Sequence, residues 1–205
     1  MKYRIEYEHS VKDFEDVWYI EKDYLEPSTI ASVDQVTKWD KKNSDIHIFV
    51  RDLEKDKIVG EITLLPLSEE QFIKFMNNIL EDTEINEDTL VKYESNQNYY
   101  LLYSAMAIAS GYRNDRMVLS LLLKGFYNKI NNLKDRGIKF LNMCAEGQTS
   151  DGQKFAETFL NLKHKRNTKE GYKLYSFDDS KEFDEWVTKL PKYIESYNDR
   201  FNIKY

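Results

Sequence analysis

The run Gly111-Tyr-Arg-Asn-Asp-Arg116 holds two arginines three positions apart, placed between the apolar stretch Tyr99–Ser110 and the apolar stretch Met117–Leu123. A buried strand that turns into the first turn of a helix presents free backbone N–H groups, and the arginines add positive charge. An anion is the expected guest, and a phosphate-bearing cofactor is its natural form. The charge pattern agrees: the chain carries −6 overall, yet Gly111–Lys139 has seven basic residues against two acidic ones. Other chemistries lack their residue sets. His9, His47 and His164 are far apart and Cys144 is the single cysteine, so no zinc-ligand spacing exists and no metal is expected. The nucleotide-binding pattern Gly-x-x-x-x-Gly-Lys-Ser/Thr, the pattern Gly-x-Gly-x-x-Gly and the hydrolase pattern Gly-x-Ser-x-Gly are all absent.

The elements that must position this turn follow from periodicity. Alternation at Tyr3, Ile5 and Tyr7 predicts a first strand, and Phe14, Val17 and Trp18 predict a helix over 12–24. Ser32 with Gln35 forms a capping-box start for a helix to about Lys41. Two strands, Ile46–Arg51 and Lys57–Leu64, form a hairpin, with Pro66 closing the second. Ser68 starts a helix whose stripe is Phe72, Phe75, Met76 and Ile79. Val118, Leu122, Phe126, Ile130 and Leu133 predict a core-facing helix that Gly137 ends, joining the Tyr99–Ala109 strand to a parallel strand Ile138–Glu146. A helix over 150–161, two short strands near 162–166 and 172–177, and a helix from Lys181 interrupted by Pro191 complete the chain. The fold class expected is α/β with a mixed sheet: one domain over 1–178 and a helical extension over 179–205.

With 205 residues, 41% of them hydrophobic, the chain can build one sizeable core. A lone cysteine fits a reducing compartment, the N-terminus lacks a continuous apolar run, and no run reaches the ~20 residues of a membrane span; a cytoplasmic protein is expected. The acidic balance disfavours nucleic acid. Ser68–Gln97 holds eight acidic residues against two lysines and reads as a solvated loop, with attraction of a cationic substrate as the alternative. The aromatic-rich tail packs on the domain or on a second copy, so a homodimer is possible.

Several segments together resemble the GNAT superfamily of acyl-CoA-dependent N-acyltransferases. They are Lys57-Ile-Val-Gly-Glu-Ile-Thr-Leu-Leu-Pro-Leu67, Leu101-Leu-Tyr-Ser-Ala-Met-Ala-Ile108, the Gly111–Arg116 turn with its helix, Ala156-Glu-Thr-Phe-Leu-Asn-Leu-Lys163 and Gly171-Tyr-Lys-Leu-Tyr175. The resemblance implies central strands that splay apart to admit the pantetheine arm of acetyl-CoA along Met106 and Ile108. The pyrophosphate would rest on the loop of Arg113, Asn114, Arg116, Met117 and Val118. The family places two small residues where this chain has Arg116 and Val118, and commonly Gly-Phe where it has Asn161-Leu162. The family's usual catalytic Glu on the central strands and Tyr on the last helix have no counterpart here, since Tyr99–Ser110 holds no carboxylate and 150–161 no tyrosine. Position alone then nominates Glu61 and Glu146 as bases and Tyr103 as thiolate acid; Tyr103 and Ser104 should face opposite ways, so that only one reaches the cleft. The implied activity is acetyl transfer to a primary amine of a small molecule or peptide. The alternative is a noncatalytic protein on the same fold that binds a partner or CoA without turnover.

Overall fold

The structure is a computed structural model, and it describes residues 2–204. Among them, seven strands form one mixed sheet: β1 (Tyr3–Glu6), β2 (His47–Asp52), β3 (Lys57–Leu67), β4 (Asn98–Ile108), β5 (Lys139–Gly147), β6 (Lys163–Asn167) and β7 (Lys173–Ser176), in the order β1-β2-β3-β4-β5-β7-β6. The helices are α1 (Val11–Lys22), α2 (Val33–Lys42), α3 (Glu69–Met76), α4 (Arg116–Asp135), α5 (Ser150–Thr158) and α6 (Ser180–Arg200). The sheet is antiparallel except between β4 and β5, which α4 connects.

Phe14, Val17 and Ile20 of α1 join Phe49 and Ile58 in a small apolar cluster. Val118, Leu122, Phe126, Ile130 and Leu133 of α4 enter the main core with Ile62 and Leu64. Helices packed on the sheet explain why β3 reads as an almost unbroken apolar run rather than an alternating one. Gly60 lets α4 come close: a Cβ there would lie 3.0 Å from both Leu122 Cδ1 and Val118 Cγ1. At the other end of α4, Gly137 takes φ +80° and ends the helix as its position predicts.

The feature that makes a site is a failure of pairing. β4 and β5 pair from Asn98↔Lys139 to Tyr103↔Ala145, with one register shift between Tyr99 and Tyr100. Beyond that point β4 stays with β3 as far as Ile108, while β5 turns to β7 through Gly147↔Lys173. The register with β3 jumps at the same place, from Thr63↔Ala105 to Leu64↔Tyr103, leaving Ser104 as an extra residue. A bulge bends its strand. Here it coincides with the splay.

Four local expectations are corrected. β3 does not close at Pro66; it continues to Leu67, with Pro66 opposite Leu101, because a proline loses only its N–H from the ladder. Pro191 does not interrupt α6, whose buried Phe183, Trp186, Val187, Leu190 and Ile194 hold one continuous helix across it. α3 stops at Met76, so Ile79 leaves the predicted stripe and is 69% exposed. Ser32 caps Gln35 N–H, but the Gln35 amide does not return; it donates instead to the carbonyls of Thr83 and Ile85, both at 2.9 Å. That bond, with Trp39 Nε1 donating to Ile85 at 2.8 Å, ties the loop before β4 to α2.

Candidate active site

Where β4 and β5 part, a cavity of about 250 Å³ opens between α1, α2, the loop carrying Asp82, the diverging strands and α5. Glu61, Tyr103, Glu146 and Met106 all line it. Glu61 stands on the same sheet face as its register partners Phe49 and Ala107 and is 1% exposed. Glu21 of α1 lines the same cavity and is its electrostatic neighbour. Burial first, then the Asp82 charge, raises Glu21 to about 7, and burial first, then Glu21, raises Glu61 well above the usual carboxylate range. Two carboxyls so placed share a proton, because ionising both in a desolvated site is costly. Glu61 Oε1 has no hydrogen-bond partner.

Glu146 lies one residue past the last β4–β5 pair. Burial raises its carboxyl to about 7, the Gln148 Nε2 donor at 2.9 Å opposes this, and Asp82, Glu81 and Glu170 add to it. Asp82 accepts from Ser104 Oγ at 2.7 Å and is itself raised by burial. Tyr103 packs against Phe126 and Phe155, with ring centroids 5.8 and 6.0 Å away, and its hydroxyl meets Met106 Sδ at 3.3 Å. Burial, then the Glu61 charge, keeps that phenol protonated far above its ordinary range. The cavity runs through the gap between the strands, so it touches both Tyr103 and Ser104 rather than one of them. Nor is the acidic segment wholly solvated: Glu81 and Asp82 also line the cavity.

Sequence reading overlooked Glu21. Its signal was present, since Phe14, Val17 and Glu21 fall at i, i+3 and i+7 and so place a carboxylate on the buried stripe of α1. Asp82 carried no such signal, because a loop has no period.

The corner at the start of α4 differs from expectation. Asp115 is the N-cap: its Oδ1 accepts from Met117 N–H at 3.0 Å and its Oδ2 accepts from the Tyr3 hydroxyl. A carboxylate of the chain itself therefore sits where an incoming anion was expected. Arg113 lies 4.1 Å over the Tyr24 ring and donates from Nε to the Tyr24 hydroxyl at 2.6 Å; that hydroxyl donates to the Ile108 carbonyl. Arg116 stacks 4.9 Å over Phe201 instead of reaching outward alone. Val118 turns fully into the core. Asn114 through Met117 line an open cleft together with Phe201–Lys204. The corner therefore carries two guanidinium groups and one opposing carboxylate.

Among the described residues, no three His, Cys, Asp or Glu side chains are placed to hold a metal ion, and no helix is long and apolar enough to cross a membrane. Cys144 is buried, and burial raises its thiol.

No protein-family model matches the chain, and no curated protein matches it in sequence. Solved structures do match in shape. The loading GNATL domain of CurA from Lyngbya majuscula aligns at TM-score 0.59 and 13% identity over 88% of this chain and 98% of that one. The NatC complex bound to Gag peptide and CoA aligns at 0.56 and 8%, over 86% and 96%. Ard1 from Thermoplasma volcanium aligns at 0.52 and 11%, over 86% and 95%. Strand order, the splay after Tyr103 and these likenesses together give the chain the GNAT N-acetyltransferase fold.

Proposed function

We propose that the protein is an acyl-CoA-dependent N-acetyltransferase acting on a primary amine of a small molecule or peptide. The observation that carries this reading is the parting of β4 from β5 directly beside a cavity whose carboxylate, Glu146, is held near neutral pH. The solved NatC complex of the same fold holds CoA beside a peptide, which supports a thioester donor. In this reading the domain over 1–178 carries the site and residues 179–205 are its helical extension.

The roles follow from protonation states. An ammonium must lose a proton before it can attack, and a carboxylate with a pKa near the working pH is a matched acceptor for it. Glu146 takes that role. As the nitrogen–carbon bond forms and the carbon–sulfur bond breaks, the thiolate takes a proton from the Tyr103 hydroxyl, the nitrogen's second proton restores that hydroxyl, and Glu146 releases the first to solvent. Ammonium and thioester become amide, thiol and one free proton. Arg113 and Arg116 would hold the donor's phosphates.

The test combines binding with turnover. Acetyl-CoA at a hundredfold excess over its Kd should stabilise the protein by about 2.7 kcal/mol, and Arg113→Ala should shrink that shift. CoA release on adding amines should follow. A second reading, a noncatalytic protein on this fold, is favoured by Asp115 occupying the helix start. Such a protein binds a partner or CoA without turnover, and it predicts no CoA release with any amine, whether or not acetyl-CoA shifts the melting midpoint.

A further inference from the structure

Six carboxylates line the cavity, Glu21, Glu61, Glu81, Asp82, Glu146 and Glu170, and no lysine or arginine is among the described residues lining it. They fall into two lobes. Glu61 of β3, with Glu21 of α1, forms one; Glu146, at the end of β5, stands in the other, with β4 between the two strands. Asp82, held by Ser104 of β4, lies between the lobes.

Charge alone would describe a solvated acidic surface. What makes this a built site is Glu61: buried, lining the cavity, with Oε1 lacking any partner. A buried oxygen left unpaired carries an uncompensated desolvation cost, which a ligand N–H removes. Trp39 and Tyr172 line the same space, and aromatic side chains attract cations. At about 250 Å³ the cavity lies below the size of pockets that take drug-sized ligands, so its guest is small.

We infer that this cavity selects a small dication: a short alkyl diamine whose reactive amine lies beside Glu146 and whose second ammonium lies against Glu21 and Glu61. The assignment of one amine as reactive rests on the acetyl-transfer reading; selection of two charges does not.

Titration calorimetry of the full chain at pH 8, without acetyl-CoA, separates the two. 1,4-Diaminobutane should bind at least ~10-fold more tightly than butylamine, as one added desolvated ion pair would give. Removing both carboxyls of that lobe, Glu21→Gln with Glu61→Gln, should cut that preference below ~3-fold. Should the double variant fail to fold, Glu21→Gln, which removes the carboxyl that ionises first, should do the same. Equal affinity for the two amines, or a preference that survives the variants, overturns the inference. CoA release with butylamine and no diamine preference would leave the transferase reading standing without the dication. Diamine selectivity with no CoA release would do the reverse.

Discussion

The cavity beneath the splayed strands leaves polar groups unpaired, whereas the corner at the start of α4 uses its own side chains to pair them. Glu61 Oε1 and His47 Nε2 are buried without partners on the cavity side. At the corner, Asp115 answers the Met117 amide and the Tyr3 hydroxyl, and Arg113 answers Tyr24. Unpaired buried groups mark where a ligand completes the structure; paired ones mark where a ligand must displace something first. Under the proposed function, the cavity is the acceptor half and stands ready, and the corner is the donor half and is restrained. Both lie within one fold, so the difference can be tested one half at a time.

The largest effect belongs to the cavity. Glu146→Gln should lower kcat roughly 100-fold and erase an inflection near pH 7 below which the rate falls, because the base must be ionised. Stability gives an opposite sign. The folded-state pKa of about 7 lies above the 4.5 of an ordinary glutamate, so the native state binds more protons between those values and loses stability as pH rises through them. Glutamine removes the loss, and the variant should gain roughly 1–2 kcal/mol above pH 7 in denaturant titrations, discounted for the solvent that Glu146 retains. A slow variant that is also less stable at pH 8 would mean structural damage instead.

The next test concerns the seam between the halves. Gly60 of β3 touches the helix that carries the corner and is the neighbour of Glu61, so Gly60→Ala should push α4 away from the strand. Overpacking of this kind costs about 2 kcal/mol. An unchanged melting midpoint would show that Leu122 and Val118 can yield, and that the two halves are not rigidly coupled.

The same contrast governs what the residues reveal before a structure is known. The strand–helix–strand order was legible because apolar period and a glycine stop act locally: Val118 to Leu133 places α4, and Gly137 with φ +80° ends it. The placement of Glu61, Tyr103 and Glu146 in one cavity needed the strand order, which came from resemblance rather than period. Asp115 was visible as a charge at the turn, yet its capping role depends on Tyr3 more than a hundred residues away, and no local pattern carries that. Asp82 reached the cavity because Gln35 and Trp39 anchor its loop, a tertiary bond that overrode a capping-box rule. Pro191 was misread for the same reason: packing of five buried side chains outweighed one lost hydrogen bond.

Asp115→Asn should act on the donor half alone. Asparagine keeps an oxygen for the Met117 amide but turns a donor toward the buried Tyr3 hydroxyl, so stability should fall by about 1 kcal/mol while the opposing charge disappears. Acetyl-CoA should then bind roughly tenfold more tightly, the gain shrinking with added salt. Asp115→Ala loses the cap as well and should cost about 1 kcal/mol more. An unchanged Kd in the asparagine variant would show that this carboxylate does not restrain the corner, and the contrast between the halves would lose its main support.

Tyr24→Phe is the finest probe, because Tyr24 touches both halves: its ring lines the cavity while its hydroxyl holds Arg113 and the Ile108 carbonyl. Phenylalanine keeps the ring under the guanidinium at 4.1 Å and removes only the hydroxyl. Arg113 then has a free N–H to offer a phosphate, and acetyl-CoA affinity should rise about threefold with the acceptor KM little changed. Because Asp115 and Arg113 answer different groups, combining this change with Asp115→Asn should give the product of the two effects. A double variant no tighter than Asp115→Asn alone would mean that Arg113 was never held back by Tyr24, leaving the carboxylate as the whole of the restraint.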